Sequence, residues 1–116
     1  MLIRQSQIEI FSELEVRRFE DWMLSHLQRF FPLRCTALGE RELRESIQSG
    51  IDRAAHYEIR TKRDVCKFID LMFVLGEDFD SVEPSKWATK ILLRPGDSRS
   101  KMNTLVLAAK ERLAKE

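Results

Sequence analysis

The sequence predicts an all-α protein, a single-domain bundle of about five helices, and three features predict it. Apolar residues recur at three- and four-residue steps along most of the chain, which is the helical period. The sequence has neither the sustained alternation of a strand nor an Asn-Gly hairpin turn. Proline and glycine fall between the helical segments. At 116 residues with 43% apolar residues, the chain predicts one helical domain over residues 1–116 that needs no disulfide or metal to fold.

The first helix is predicted to begin at Gln5 or Ser6 and to end before Pro32, because a proline disfavours helical geometry in the preceding residue. We expect Trp22 of this helix, like the other tryptophan, Trp87, to serve mainly in core packing. The next residues, 33–39, are predicted to form a connector. The apolar stripe of the first helix consists of Ile8, Phe11, Val16, Phe19, Trp22, Met23, Leu27, Phe30 and Phe31.

The second helix is predicted over residues 40–57, followed by a tight turn at residues 57–60. Gly50 lies in the middle of this helix, where glycine costs about 1 kcal/mol relative to alanine. It marks either the close approach of another helix or a locally weak point, and the residues alone do not separate the two.

The third helix is the most apolar segment and predicts the centre of the bundle, near residues 62–75. Thr61 followed by Asp64 is a helix-start pattern, and Gly76 is a typical helix-ending residue. Its second half is apolar on nearly all sides, which indicates burial by several neighbours. Residues 77–84 are predicted as a loop, residues 84 or 85 to 93 as a fourth helix, and a last helix is expected to be capped by Ser98 or Ser100.

The charge balance excludes a strong general attraction to nucleic acid or to anionic membranes. The chain has 20 basic and 19 acidic residues, closely interspersed, with a net charge of +1. No apolar run approaches the roughly 18 residues of a membrane span, and the N-terminal residues do not have the pattern of a signal peptide. We therefore expect a cytoplasmic protein, kept in the cytosol unless another protein carries it out.

Catalytic and metal-binding patterns are not found in the sequence. His26 and His56 belong to no ligand-spaced set, and Cys35 and Cys66 do not make a disulfide framework. Cys66 lies inside the apolar third helix, where a small buried thiol is the favoured interpretation. The acidic loop after Gly76 is too short and too interrupted for an EF-hand. We expect no catalytic residue, no metal and no cofactor.

The two ends of the third helix are the candidate partner-binding sites. The basic end carries Arg60, Lys62 and Arg63, and the acidic end carries Glu77, Asp78, Phe79 and Asp80. Phe79 is expected either to pack in the core or to serve as an exposed anchor. If the acidic loop serves a partner, changing Asp78 or Asp80 to alanine leaves stability nearly intact.

A helix-turn-helix regulator is one alternative function, since a turn and a capped helix follow the second helix. A recognition helix presents polar residues to the major groove, however, and the positions after Lys67 are almost wholly apolar. Nucleic-acid binding is therefore not expected.

Five segments of the chain carry a family resemblance. In order, they are MLIRQSQIEIF, FEDWMLSHLQRFFP, LRESIQSGIDRAAHYEI, RDVCKFIDLMFVLGEDFD and KWATKIL. Together they resemble a group of small bacterial proteins encoded beside PAAR-type spike and toxin genes of type VI secretion systems. The resemblance covers most of residues 1–93 and is weaker in the tail. That group commonly has glycine where this chain has Glu58, so a left-handed turn residue is replaced here.

The resemblance implies a non-enzymatic accessory role, in which the chain binds a secreted spike or toxin as adaptor, chaperone or co-component. The alternative role is that of an immunity protein that neutralises a co-encoded toxin. The resemblance supplies no catalytic residues.

Overall fold

Six α-helices make up the part of the chain that the computed structural model describes, which is residues 12–77, 79–80 and 86–114. These residues contain no β-strand, and the prediction of an all-α single-domain bundle is confirmed for them. The radius of gyration is 14.0 Å, close to the roughly 13 Å expected of a folded domain of 100 residues. The helices are α1 (Glu13–Phe30), α2 (Pro32–Leu38), α3 (Glu40–His56), α4 (Lys62–Leu75), α5 (Lys86–Leu92) and α6 (Ser98–Ala114).

Helix α1 begins after Ser12, whose side chain accepts a hydrogen bond of 3.1 Å from the amide of Glu15. The predicted start at Gln5 or Ser6 lies outside the described residues. Pro32 ends α1 as predicted, since Phe31 leaves helical geometry with φ −134° and ψ 56°.

Helix α2 is the sixth helix, at the place where the sequence predicted only a connector. Pro32 occupies its first turn, where the fixed φ of proline suits a helix and its missing N–H is not needed. Cys35 is buried and anchors α2 to the core, and Gly39 ends it with φ 83°. The residue that stops α1 therefore also starts α2.

Helix α4 lies at the centre of the bundle and contacts α1, α3 and α6. Its observed bounds match the predicted residues 62–75. Thr61 caps it, accepting from the Asp64 amide at 3.4 Å and donating to Asp64 Oδ2 at 3.0 Å. Seven of its fourteen residues are buried, namely Asp64, Val65, Phe68, Ile69, Leu71, Met72 and Phe73.

Gly50 permits the close approach of α3 and α4. A Cβ built at Gly50 lies 2.6 Å from Ile69 Cγ1 and 3.0 Å from Met72 Sδ. Both neighbours belong to α4, so the glycine marks a helix contact and is not merely a weak point of α3.

Helix α3 ends in a Schellman motif whose left-handed residue is Glu58. The amide of Ile59 donates to the carbonyl of Ala54, and the amide of Glu58 donates to that of Ala55, each at 2.9 Å. Glu58 has φ 63°, and among the described residues no other residue besides glycine has a positive φ. A glutamate therefore holds the position at which glycine is the usual residue.

Helix α6 is capped by Asp97, while the sequence predicted Ser98 or Ser100. The Ser100 amide donates to Asp97 Oδ1 at 2.8 Å. Ser98 is the first helical residue, and its hydroxyl donates to the buried Asp64 Oδ2 at 2.7 Å. Ser98 thus links the start of α6 to the start of α4.

None of the helices in the described part of the chain combines the length and the apolar composition that a membrane span requires.

Candidate functional site

A groove of about 540 Å³ lies between α1 and the first two turns of α4. Both helices turn side chains to it because residues three and four apart share one face of a helix. The side chains from α1 and α4 that line it are Arg18, Phe19, Trp22, Lys62, Arg63, Cys66 and Lys67.

Three aromatic rings follow one another along α1 beside this groove, at four-residue spacing. The ring of His26 lies 5.1 Å from that of Trp22 and 4.9 Å from that of Phe30, measured between centroids. Trp22 is 54% exposed and Phe30 is 59% exposed. The expectation that Trp22 serves in the core is therefore wrong, while Trp87 does pack partly buried against the core. We call Trp22, His26 and Phe30 the aromatic ladder.

The groove is electropositive, since four of its lining residues are Arg18, Lys62, Arg63 and Lys67. Partial burial lowers the pKa of Lys67, and the nearby charge of Arg63 lowers it further. Of these cations, Lys62 has a carboxylate close by in the described part of the chain, since its Nζ lies 3.9 Å from Oε2 of Glu15. The groove therefore combines an exposed tryptophan with an excess of positive charge.

His26, Cys66 and Asp70 meet where the aromatic ladder reaches α4. Asp70 Oδ1 and Oδ2 lie 2.9 and 3.1 Å from His26 Nε2. Cys66 Sγ lies 3.6 Å from the same nitrogen and 3.9 Å from Asp70 Oδ2. Helix α4 supplies the thiol and the carboxylate one turn apart, and α1 supplies the imidazole.

This cluster does not have the geometry of a nucleophilic triad. A histidine that relays a proton contacts the nucleophile through one ring nitrogen and the carboxylate through the other. Here Cys66 and Asp70 both face Nε2 of His26. Burial, with the added effect of the Asp70 charge, raises the pKa of Cys66 to about 12, so the thiol is protonated near neutral pH and is a poor nucleophile.

The structure places two of the three predicted basic residues in the groove. Lys62 and Arg63 line it, and Arg60 is exposed just before α4. Of the acidic residues, Glu77 is exposed and accepts a hydrogen bond of 3.3 Å from Ser46, whereas Asp78 lies outside the described residues.

Phe79 and Asp80 are not available to a partner. Phe79 is 1% exposed and its ring lies 5.2 Å from that of Phe68, so it packs in the core. Asp80 is 5% exposed, forms an ion pair with Arg53, and accepts a hydrogen bond of 2.8 Å from the hydroxyl of Tyr57. Burial raises the pKa of Tyr57, which keeps its hydroxyl a donor. These two residues therefore fasten the segment after α4 to the core and to α3.

A second, more polar depression lies between α1 and α3 around the buried carboxylate of Glu20. Arg44 donates to Glu20 Oε1 at 2.7 Å, and Gln48 donates to Oε2 at 3.1 Å. Both oxygens are therefore already hydrogen-bonded within the chain, and this carboxylate needs no ligand.

In comparisons with known proteins, no family model, no curated protein and no solved structure matches the chain.

Sequence reasoning missed the meeting of His26 with Cys66 and Asp70. The four-residue spacing from Cys66 to Asp70 puts both on one face of α4, which is a local signal. His26, however, is 40 residues away from Cys66 in the sequence, and only the packing of α1 on α4 brings it near. The exposure of Trp22 was missed because it falls at the edge of an otherwise inward apolar stripe.

Proposed function

We propose that this chain is a non-enzymatic, cytoplasmic accessory protein that binds a secreted spike or toxin effector of a type VI secretion system as an adaptor or chaperone. The resemblance of five sequence segments to proteins encoded beside such genes supports the choice of partner. The groove between α1 and α4 supports binding as the mode of action.

The observation that carries the proposal is Trp22, half exposed in a groove lined by four cations. Tryptophan and arginine are enriched among the residues that dominate binding energy at protein interfaces. A groove of positive charge is complementary to negative charge. The occupant that fits is an acidic segment of the partner that carries an apolar side chain for Trp22.

The test is a binding titration between the purified chain and the spike or toxin encoded beside it. We expect Trp22→Ala to weaken the complex by about 30-fold, the effect of losing a contact worth about 2 kcal/mol. The matched control is Leu33→Ala, which removes an 87% exposed apolar side chain on α2 and should leave the affinity unchanged.

A charge reversal tests the electrostatic part of the proposal. Arg63→Glu should weaken binding and flatten its dependence on salt, since it removes an attractive charge from the groove. Arg41→Glu is the control, because Arg41 is 92% exposed and lies on α3, away from the groove. Equal effects of both reversals, or no complex at micromolar concentrations, would overturn the proposal.

An immunity protein for a co-encoded toxin is the second candidate, and the same resemblance and the same groove support it. Deleting the gene separates the two roles. Loss of toxin delivery indicates an adaptor, while poisoning of the deletion strain by its own toxin indicates immunity.

The positive charge of the groove also bears on the DNA-binding alternative. Helix α4 is buried along much of its length, with Phe68, Ile69 and Met72 at most 2% exposed, so it does not offer a helix for the major groove. A titration with duplex DNA tests this directly. Binding of the duplex DNA that weakens steeply with salt would favour the regulator over the adaptor.

A further inference from the structure

His26, Cys66 and Asp70, which we call the His26 cluster, each bring one potential ligand atom close to the other two. The Nε2 of His26, the Sγ of Cys66 and a carboxylate oxygen of Asp70 all lie within 4.8 Å of one another. We propose that His26, Cys66 and Asp70 form a binding site for a divalent transition-metal cation of the zinc class. Such a site does not depend on the proposed adaptor function.

The distances fit a tetrahedral centre. With metal bonds of about 2.3 Å to sulfur and about 2.0–2.1 Å to nitrogen and oxygen, ligand atoms lie roughly 3.3–3.6 Å apart. The observed distances between Cys66, His26 and Asp70 are 3.6 Å for sulfur to nitrogen, 3.9 Å for sulfur to oxygen and 3.1 Å for nitrogen to Oδ2. Shifts of a few tenths of an ångström would complete the geometry.

The donor set also suits the charge and chemistry of such a cation. The Cys66 thiolate and the Asp70 carboxylate together balance a charge of +2, and His26 adds a neutral imidazole nitrogen. Mixed sulfur, nitrogen and oxygen ligands are typical of Zn²⁺ and disfavour Ca²⁺ and Mg²⁺, which prefer oxygen. On binding, the cation takes the place of the Cys66 thiol proton, which leaves to solvent.

The position of the ligands is set by the packing around them. The rings of Trp22 and Phe30 lie on either side of the His26 ring in the aromatic ladder and hold its orientation. Cys66 and Asp70 are fixed one turn apart on the central helix α4. A metal site benefits from such rigid elements because its ligands need little rearrangement on binding.

A metal ion has a route to the site from solvent. Cys66 is among the residues that line the groove, and the side chains of His26 and Asp70 are 17% and 33% exposed. Three protein ligands with an open fourth position are characteristic of zinc sites that also hold water or a substrate atom.

Isothermal titration calorimetry of the metal-free protein with Zn²⁺ tests the proposal. We expect one Zn²⁺ per chain. Cys66→Ser, Asp70→Asn and His26→Gln should each lower the affinity by at least about 100-fold, since losing even an outer-shell partner costs about 10–100-fold. The matched controls, Cys35→Ser and His56→Gln, change the other cysteine and the other histidine and should leave the affinity unchanged.

Cobalt provides a readout on the unaltered protein that does not depend on whether a variant folds. Co²⁺ bound by Cys66 should give a sulfur-to-metal charge-transfer absorption and the strong visible bands of a tetrahedral centre. Absence of these absorptions, or Zn²⁺ binding that survives in folded Cys66→Ser and Asp70→Asn variants, would show that the cluster is only a hydrogen-bonded contact and overturn the proposal.

Discussion

At the scale of single residues, Glu58 combines an unfavourable backbone conformation with a well-formed helix end. Its φ of 63° costs a residue with a side chain about 1–2 kcal/mol relative to glycine. Glycine loses more backbone entropy on folding than glutamate does, and this loss offsets part of the relieved strain. We expect Glu58→Gly to raise the free energy of unfolding by about 0.5–1 kcal/mol, measured by denaturant titration.

The matched control is Glu42→Gly, at an exposed position in the first turn of α3 where φ is helical. There glycine should lower stability, so the two changes have opposite signs. A loss of stability in Glu58→Gly would contradict the strain assigned to this turn.

Gly50 makes a prediction that runs against helix propensity. Alanine is favoured over glycine inside a helix by about 1 kcal/mol, but its Cβ would lie 2.6 Å from Cγ1 of the buried, β-branched Ile69. Since overpacking a core costs about 1–3 kcal/mol, we expect Gly50→Ala to lower the melting temperature. An increase in the melting temperature would show that α3 and α4 are not in the close contact described here.

Asp80 corrects an expectation drawn from the acidic loop. Replacing it by alanine removes the partner of Arg53 and of the Tyr57 hydroxyl, and loss of one member of a largely buried pair is destabilising. We expect Asp80→Ala to lower the free energy of unfolding by about 1–3 kcal/mol, less than for a fully buried pair because Arg53 retains some contact with water. Glu77→Ala, at an exposed position in the same segment, should change it by less than about 0.5 kcal/mol.

The contrast between α2 and α4 shows how much of the fold could be predicted. The sequence of α4 contains a helix-start signal, many apolar residues and a helix-ending glycine in one continuous stretch, and its bounds were predicted correctly. Helix α2 is seven residues long and has one buried residue, Cys35, which is too little for a periodic pattern. Its existence depends on packing against α1 and α3, which local sequence does not encode.

The candidate site shows the same division. The position of Lys62 and Arg63 in the first turn of α4 could be predicted, because they come directly after a helix-start signal in the sequence. The burial of Phe79 and Asp80 could not, because it depends on partners on α3 and α4 that are distant in the sequence. Nor could the His26 cluster, which forms only when α1 packs on α4.

At the scale of elements, α4 is the helix on which α1, α3 and α6 assemble. Truncating Phe68 or Phe73 to alanine leaves a cavity, which costs about 3–5 kcal/mol for a buried phenylalanine. The total stability of such a domain is about 5–15 kcal/mol, so each variant should approach global unfolding. Phe30→Ala, at a 59% exposed position on α1, is the control, and unchanged melting of all three variants would contradict the central place of α4.

At the scale of the whole molecule, the bundle is a slab with extents of 39 × 38 × 20 Å. Its thinnest dimension is about two helix diameters. The aromatic ladder and the basic groove both belong to the α1 and α4 part of this slab. One face therefore combines exposed aromatic rings, positive charge and the proposed metal ligands.

The most direct test of the central claim is amide hydrogen exchange of the chain alone and in complex with its proposed partner, a type VI secretion spike or toxin. We predict added protection over residues 18–30 of α1 and residues 62–67 of α4, with no change at Glu77 or along the exposed side of α6. Protection confined to α5, α6 or the segment after α4, with the groove unchanged, would contradict the assignment of the groove as the binding site.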